Sequence, residues 1–403
     1  MALIKPFQAW RPAASKVQDI VCVPYDVITT KDALELSKGK PLSFLHVIRP
    51  EIDLPADISI YHTSVYSKGR ESLQKLLNAG HFIQEEQDSL YIYRLVWNGR
   101  AQSGVFGCVS VKEYENDIIL KHELTRPDKE DDRTKHITTQ EAHAEPVMLT
   151  FDDTKDITGL MVQAQENDPI YDITTEDGVQ HSIWKIDDAS TFQQAFDSIP
   201  SLYIADGHHR CASAARTARE IASQNPTHTG EENYNYFPAV LFPMQQMEIL
   251  SYNRVIFQLP DNFFERLSSS FMVTPSTESV PQKKGSICIY YDGRWYALDL
   301  PASQKSDSAS ALDVSRLQEF ILAPLLGITN QRTDKNIDFV GGIKSTLELE
   351  HLVDSESAQL AFSMYPTNIK ELITVSDDGL LMPPKSTWFE PKLRSGFLIH
   401  TFK

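Results

Sequence analysis

The stretch Tyr203-Ile-Ala-Asp-Gly-His-His-Arg-Cys-Ala-Ser-Ala-Ala-Arg-Thr-Ala-Arg219 passes from an apolar run through a single glycine into a run of alanines. That order predicts a buried strand, a tight turn and a helix. It leaves the free N–H groups of the first helical turn facing whatever sits over the turn, which is an anion site. Gly207 lets the backbone approach a phosphate closely, Arg210 can grip it bidentately, and His208 and His209 can donate hydrogen bonds or shuttle a proton. Asp206 stands where it can hold a magnesium ion or orient a histidine. The plainer alternative is a capped helix with two partly exposed histidines. Zinc is disfavoured, because adjacent helical residues point about 100° apart and rarely share one transition metal.

Working outward, Val147–Phe151 and Leu202–Ala205 read as strands, and Asp19–Val23 as another, broken by Pro24-Tyr25-Asp26. Thr29 or Thr30 can cap a helix starting near Lys31, so Tyr25 and Asp26 project past a strand end, where α/β proteins meet ligands. The spacing predicts a helix over 61–79 and paired strands over 89–96 and 104–111. The polar segment 121–143 reads as a solvated helix pair, at least across Asp128–Asp132. Its flanks are more specific. Glu123 can serve as a carboxylate base, and Lys121, Arg133 and His136 can neutralise a transferring phosphoryl group, with His122 and Thr125 beside them.

Further on, 236–242, 248–257 and 287–298 read as strands and 315–326 as an amphipathic helix. The Pro-, Ser-, Thr- and Lys-rich stretch from Pro260 to Lys283 suggests a boundary, drawn as a main unit 1–265 and a C-terminal α/β unit 266–403 packing onto it. The latter would contribute the proline turn at Met382-Pro-Pro, which presents Lys385, Ser386 and Thr387; a turn that merely packs a core looks similar. The fold class expected is α+β, a mixed α/β architecture.

Composition narrows the function classes. The 403 residues carry a formal net charge of -17, which disfavours nucleic acid as a partner but permits a local cationic pocket for a small anion. The four cysteines form no CxxC pair, which fits reduced thiols in a cytoplasmic protein. No apolar run is long enough to span a bilayer, and a GxxxxGK[ST] loop, a GxSxG elbow and an HExxH helix are all absent.

Several motifs together resemble the bacterial family called domain of unknown function 1015. They are Pro24-Tyr-Asp-Val-Ile28, Phe44-Leu-His-Val47 with Arg49-Pro-Glu51, Lys121-His-Glu-Leu-Thr125, Asp132-Arg133 with His136, Ala205 to Arg210, and Met382 to Thr387 with Pro391-Lys-Leu393. The Asp-Gly-His-His-Arg stretch is also similar to the motif of free-serine kinases, which share a ParB/sulfiredoxin-like fold. That resemblance implies such a core, elaborated with additional mixed sheet regions. It also implies Asp206, His208, His209 and Arg210 as phosphate and magnesium contacts, with Glu123 as base and Asp26 in reserve. Where those kinases carry Thr-His-Arg after the central helix, this chain has Tyr252-Asn253-Arg254, leaving Arg254 as a substrate contact. The expectation is a nucleotide-dependent free L-serine kinase using magnesium with ATP or ADP. A phosphoserine phosphatase or reverse phosphotransferase and a nucleotide-sensing regulator of ParB type are the alternatives. The partners expected are a small-molecule substrate and a nucleotide, with no nucleic acid and no membrane, and with a homodimer left open.

Overall fold

A computed structural model describes residues 2–402. The chain divides into two compact units. Unit 1 comprises Met1–Leu120, Thr125–Met247 and Pro391–Lys403; unit 2 comprises Lys121–Leu124 and Glu248–Glu390.

Unit 1 is built on an eight-stranded mixed sheet. Its strands are β1 (Tyr91–Trp97), β2 (Arg100–Ser110), β3 (Ile119–Leu120), β4 (Val147–Phe151), β5 (Tyr171–Thr174), β6 (Gln180–Lys185), β7 (Leu202–Asp206) and β8 (Tyr236–Pro243), in the spatial order β3-β7-β4-β8-β2-β1-β6-β5. The central β4 and β8 are buried at every position, which is why both read as unbroken apolar runs rather than alternating ones. Strand β7 runs antiparallel to β4, and β8 runs parallel to it. Four helices matter to the site: α1 (Thr30–Ser37), α2 (Thr63–Asn78), α3 (Pro127–Gln140) and α4 (His208–Gln224). On α4 the residues Cys211, Ala214, Ala215 and Ala218 join Leu149, Phe151, Ile204 and Leu241 in one core. Small side chains on that face let the helix lie close to the sheet. Between α2 and α3, Gly69 leaves room for the Gln140 side chain, since a Cβ there would lie 2.7 Å from Gln140 Nε2.

Most predicted elements form. Thr29 is the residue that caps α1, in a complete capping box with Asp32. Asp19–Val23, by contrast, is not a strand. Val17–Ile20 is a short helix whose two buried residues, Val17 and Ile20, have helical spacing, and only Cys22 makes a β-bridge, to Ser395. The polar segment holds one helix rather than a pair. Pro127 occupies its first turn, nothing interrupts it before Glu141 at φ 53°, and its inner face buries Asp132, Arg133 and His136.

Unit 2 has a six-stranded sheet: β9 (Tyr252–Ile256), β10 (Thr274–Ser276), β11 (Ser286–Tyr291), β12 (Arg294–Asp299), β13 (Ile337–Gly341) and β14 (Leu360–Met364), ordered β10-β12-β11-β14-β9-β13. Segment 287–298 is thus a hairpin of two strands, turning at Asp292-Gly293, both with positive φ. The helix expected over 315–326 starts at Asp313 and passes through a π-turn stretch at Gln318–Leu322. The boundary expected at 265/266 falls at 247/248 instead. Strand β9 pairs with both β13 and β14, so Pro260–Lys283 is internal to unit 2, and residues 391–403 return to unit 1. No helix among the described residues is long and apolar enough to cross a membrane.

Candidate active site

Strand β7 ends at Asp206, and Gly207, at φ 106°, turns the chain directly into α4. A Cβ at that position would meet Val147 Cγ1 at 3.0 Å and Arg210 Nε at 3.1 Å, so both conformation and space demand glycine. One turn into the helix, Arg210 reaches back. Its Nη2 donates to Asp206 Oδ2 at 2.7 Å and lies 3.6 Å from Asp26 Oδ2, while its Nη1 donates to the carbonyl of Pro146. Lys392, in the C-terminal segment of the unit, donates to the other Asp206 oxygen at 3.2 Å.

Burial alone would push the Asp206 carboxyl up. The ammonium of Lys392, the guanidinium of Arg210 and the His208 imidazole outweigh it and hold Asp206 well below the usual carboxylate range. Arg210 shows the converse: burial works against its charge, and Asp26, Asp206 and Glu145 more than restore it. Glu145 is buried and raised by that burial, which Arg210 and Arg133 only partly offset. One of its oxygens accepts hydrogen bonds from the Tyr25 N–H at 3.3 Å and the Ser395 hydroxyl at 3.0 Å. Arg133 lies 3.9 Å from the other. It also forks onto Asp132 at 2.6 and 3.0 Å and stacks over the Tyr25 ring, 4.1 Å from its centroid.

The structure therefore brings Tyr25, Asp26, Arg133, Asp206, Gly207 and Arg210 into one cluster of unit 1. Of its charged groups the most open are Asp26, with 36% of its side chain exposed, and Asp206, with 25%, against 8% for Arg210. His136 sits deeper, edge-on to Tyr66 and 3.9 Å from Asp132. His208 is buried at the start of α4. His209 uses Nε2 to accept the Arg126 N–H at 3.0 Å, at the entrance of α3, so at that nitrogen it is an acceptor. Thr125 donates to Glu130 at 3.1 Å.

The remaining candidates lie in unit 2, where Lys121 and Glu123 are half-buried. His122 approaches the Thr387 hydroxyl at 3.3 Å and accepts the Met382 N–H on its carbonyl at 2.8 Å. Lys385 takes positive φ at 58°, and Ser386 donates to the Pro383 carbonyl at 2.6 Å. Arg254 is fully buried and donates to the carbonyls of Tyr252, Pro384 and Lys385. Burial pushes its guanidinium down to about 9, against a small opposing effect of Tyr252. Its visible work is to hold the proline turn.

Three participants escaped the sequence reading. Lys392 and Arg49 stand inside quoted motifs, Pro391-Lys-Leu393 and Arg49-Pro-Glu51, yet nothing local distinguishes them from surface cations. Glu145 carried no signal beyond its neighbour Pro146. Arg49 clamps the loop that carries Asp26: its guanidinium donates to the carbonyls of Tyr25 and Ile28 at 2.9 and 3.1 Å, to the Thr30 hydroxyl at 2.9 Å and to Glu51 at 2.7 Å.

The described residues of unit 1 form no all-protein cage for magnesium. Both Asp206 oxygens already accept from cations, and no group of three His, Cys, Asp or Glu side chains among the described residues is disposed to hold a metal.

Fold and site together define an α+β protein with a charge-paired acidic centre at a strand-to-helix turn. The chain belongs to the family described as Protein of unknown function (DUF1015), whose model matches residues 4–315. No curated protein matches it. Among solved structures it is similar to a free serine kinase in complex with AMP, at 11% identity and a TM-score of 0.39 over 70% of this chain and 86% of that one. It is likewise similar to a conserved hypothetical protein from Pyrococcus furiosus, at 12% and 0.38 over 70% and 90%. A C-terminally truncated SbnI from Staphylococcus aureus matches at 12% and 0.37 over 72% and 85%.

Proposed function

We propose that this protein transfers a phosphoryl group between a nucleotide and the hydroxyl of a small amino acid, most specifically as a free L-serine kinase. The observation that carries the reading is the pairing of an exposed carboxylate, Asp26, with a buried cation, Arg210, at the N-terminus of α4. A helix N-terminus beside an arginine suits phosphate oxygens, and a carboxylate on the open side suits a hydroxyl proton. In this reading Asp26 accepts the proton as the serine oxygen forms its bond to phosphorus, and the bond from that phosphorus to the departing nucleotide breaks. Arg210, Lys392 and the N–H groups of the first turn of α4 hold the charge spread over the transferring oxygens. Asp206 keeps both cations in place rather than reacting. Magnesium, where required, arrives on the nucleotide's phosphates, the common way that ion reaches such sites.

Asp26 is preferred to Glu123 as base because it adjoins Arg210 within unit 1. The test is a phosphorus-NMR time course of the full chain in magnesium buffer with L-serine plus ATP, L-serine plus ADP, and O-phosphoserine alone. Phosphoserine should appear with one nucleotide, should fail to appear with Asp26→Asn although nucleotide still binds, and should persist with Glu123→Gln. The reverse pattern in the two variants would return the base to Glu123. Free phosphate from O-phosphoserine alone would make the protein a phosphatase, and nucleotide binding without any turnover a nucleotide-sensing regulator.

A further inference from the structure

Three nitrogens that lie buried without a partner belong to residues lining one cavity of unit 1. His136 Nδ1, His143 Nε2 and Arg210 Nε each lack a hydrogen-bond partner. Their residues line a cavity of about 30 Å³ walled also by Gln140, Glu145 and Phe237. All three residues are more than nine-tenths buried, at 5%, 4% and 7% exposure. Folded proteins leave few such groups unsatisfied, so three around one cavity call for an occupant. A water needs roughly 10–15 Å³ of this kind of space and two to four polar neighbours. The cavity meets both conditions.

The chemistry of the walls decides between water and an anion. Arg210 is already faced by Asp26, Asp206 and Glu145, and Glu145 is itself a wall, so a halide would enter beside a carboxyl group and find the cation already paired. Water needs no charge. Arg210 Nε–H can only donate, so a water there accepts and keeps two hydrogens to give. Neutral imidazoles can take them. Burial, with Arg133 and Arg49, holds His136 well below its ordinary value, and burial with His400 does the same to His143. His136 Nε2 lies 3.9 Å from Asp132 Oδ1, so the carboxylate favours the proton on that nitrogen and Nδ1 as the acceptor.

We propose that ordered water occupies this cavity, accepting from Arg210 Nε–H and donating to His136 Nδ1 and His143 Nε2, as a fixed part of the Arg210 site. The terminal nitrogens of Arg210 are set by Asp206 and the Pro146 carbonyl; the water engages the remaining Nε and holds the plane of the guanidinium from behind. His136 is then a positioning residue that acts through water. The inference does not depend on which reaction the site performs.

The experiment is a high-resolution crystal structure of the full chain grown in sodium bromide, with anomalous data at the bromine edge, for the native protein and for His143→Phe. Density for water within hydrogen-bond distance of the three nitrogens, without anomalous signal, is the expected result. An empty cavity or an anomalous peak would overturn the proposal. His143→Phe should expel the water and shift the Arg210 guanidinium off Asp206; water lost with Arg210 unmoved would refute its role in fixing that side chain. Should the variant fail to fold, the native crystal alone still decides whether water is there.

Discussion

Replacing Lys392 by methionine keeps most of the side chain's length and bulk and removes only its charge. The ammonium lies 3.2 Å from Asp206 Oδ1, with 13% and 25% of the two side chains exposed. At that separation, with an effective dielectric near 20, the gross attraction is about 5 kcal/mol. Desolvation of both partners cancels most of it, and hydrogen bonds to charged groups typically retain about 1.5–3 kcal/mol. Arg210 still holds the other oxygen at 2.7 Å, so the lower end, about 1.5 kcal/mol, is expected for Lys392→Met. The pH dependence makes the reasoning specific. Asp206 titrates in the folded protein below its unfolded value, because Lys392, Arg210 and His208 outweigh the burial that would raise it. Such a group contributes stability that is fully present above the unfolded value of about 3.9 and is lost as pH falls through the folded one. The gap between Lys392→Met and the native protein should therefore be complete at neutral pH and shrink below pH of about 4. Urea unfolding followed by pulsed hydrogen exchange of peptides spanning β4 and β7 reads unit 1 separately. A gap that stays constant or widens in acid would refute the pairing.

Gly207→Ala forces a side chain into φ 106° and against Arg210 Nε, and should cost about 1–2 kcal/mol by urea unfolding, with ADP affinity down by about tenfold as Arg210 is displaced. Arg49→Lys removes the fork that holds the loop of Asp26, so kcat for phosphoserine formation should fall by about 10–100-fold with KM little changed; a matching rise in KM would mean that Arg49 supports binding instead. Thr29→Ala breaks the capping box of α1 and should lower stability by about 1 kcal/mol in thermal unfolding, with kcat untouched.

Much of the frame of unit 1 was legible because its signals are local. The apolar runs of β4 and β8, the Gly207 turn and the alanines of α4 each report a nearby physical demand. Arg133 and His136 also stood out, since a surface helix has no need of histidines, and α3 does bury both. What stayed hidden depends on contacts distant in sequence. The run 121–143 looks continuous, yet Lys121–Leu124 belong to unit 2 and Thr125 onward to unit 1, because partition follows packing rather than polarity. Lys392 lies 186 residues from Asp206 along the chain, and no periodicity links them. Asp19–Val23 has strand composition but no ladder to join, and a β-branched run without a partner does not make a strand.

The way Arg210 is held constrains how the site can work. The buried guanidinium of Arg210 is neutralised by its surroundings, for which the chain supplies Asp26, Glu145 and Asp206 from three separate segments. Glu145 is sealed inside and bonded to Tyr25 and Ser395, and Asp206 is shared with Lys392, so neither can leave without stranding another charge. Asp26 differs: it is the most open of the three, and at 3.6 Å from Arg210 it is held more loosely than Asp206, which lies at 2.7 Å. An anion approaching α4 from solution competes with Asp26 for that face of Arg210, and as it takes hold it separates the carboxylate from the guanidinium that had faced it. On the proposed kinase reading, phosphate binding and the release of a base become one event, with Arg49 keeping the loop of Asp26 anchored while the carboxylate changes partner.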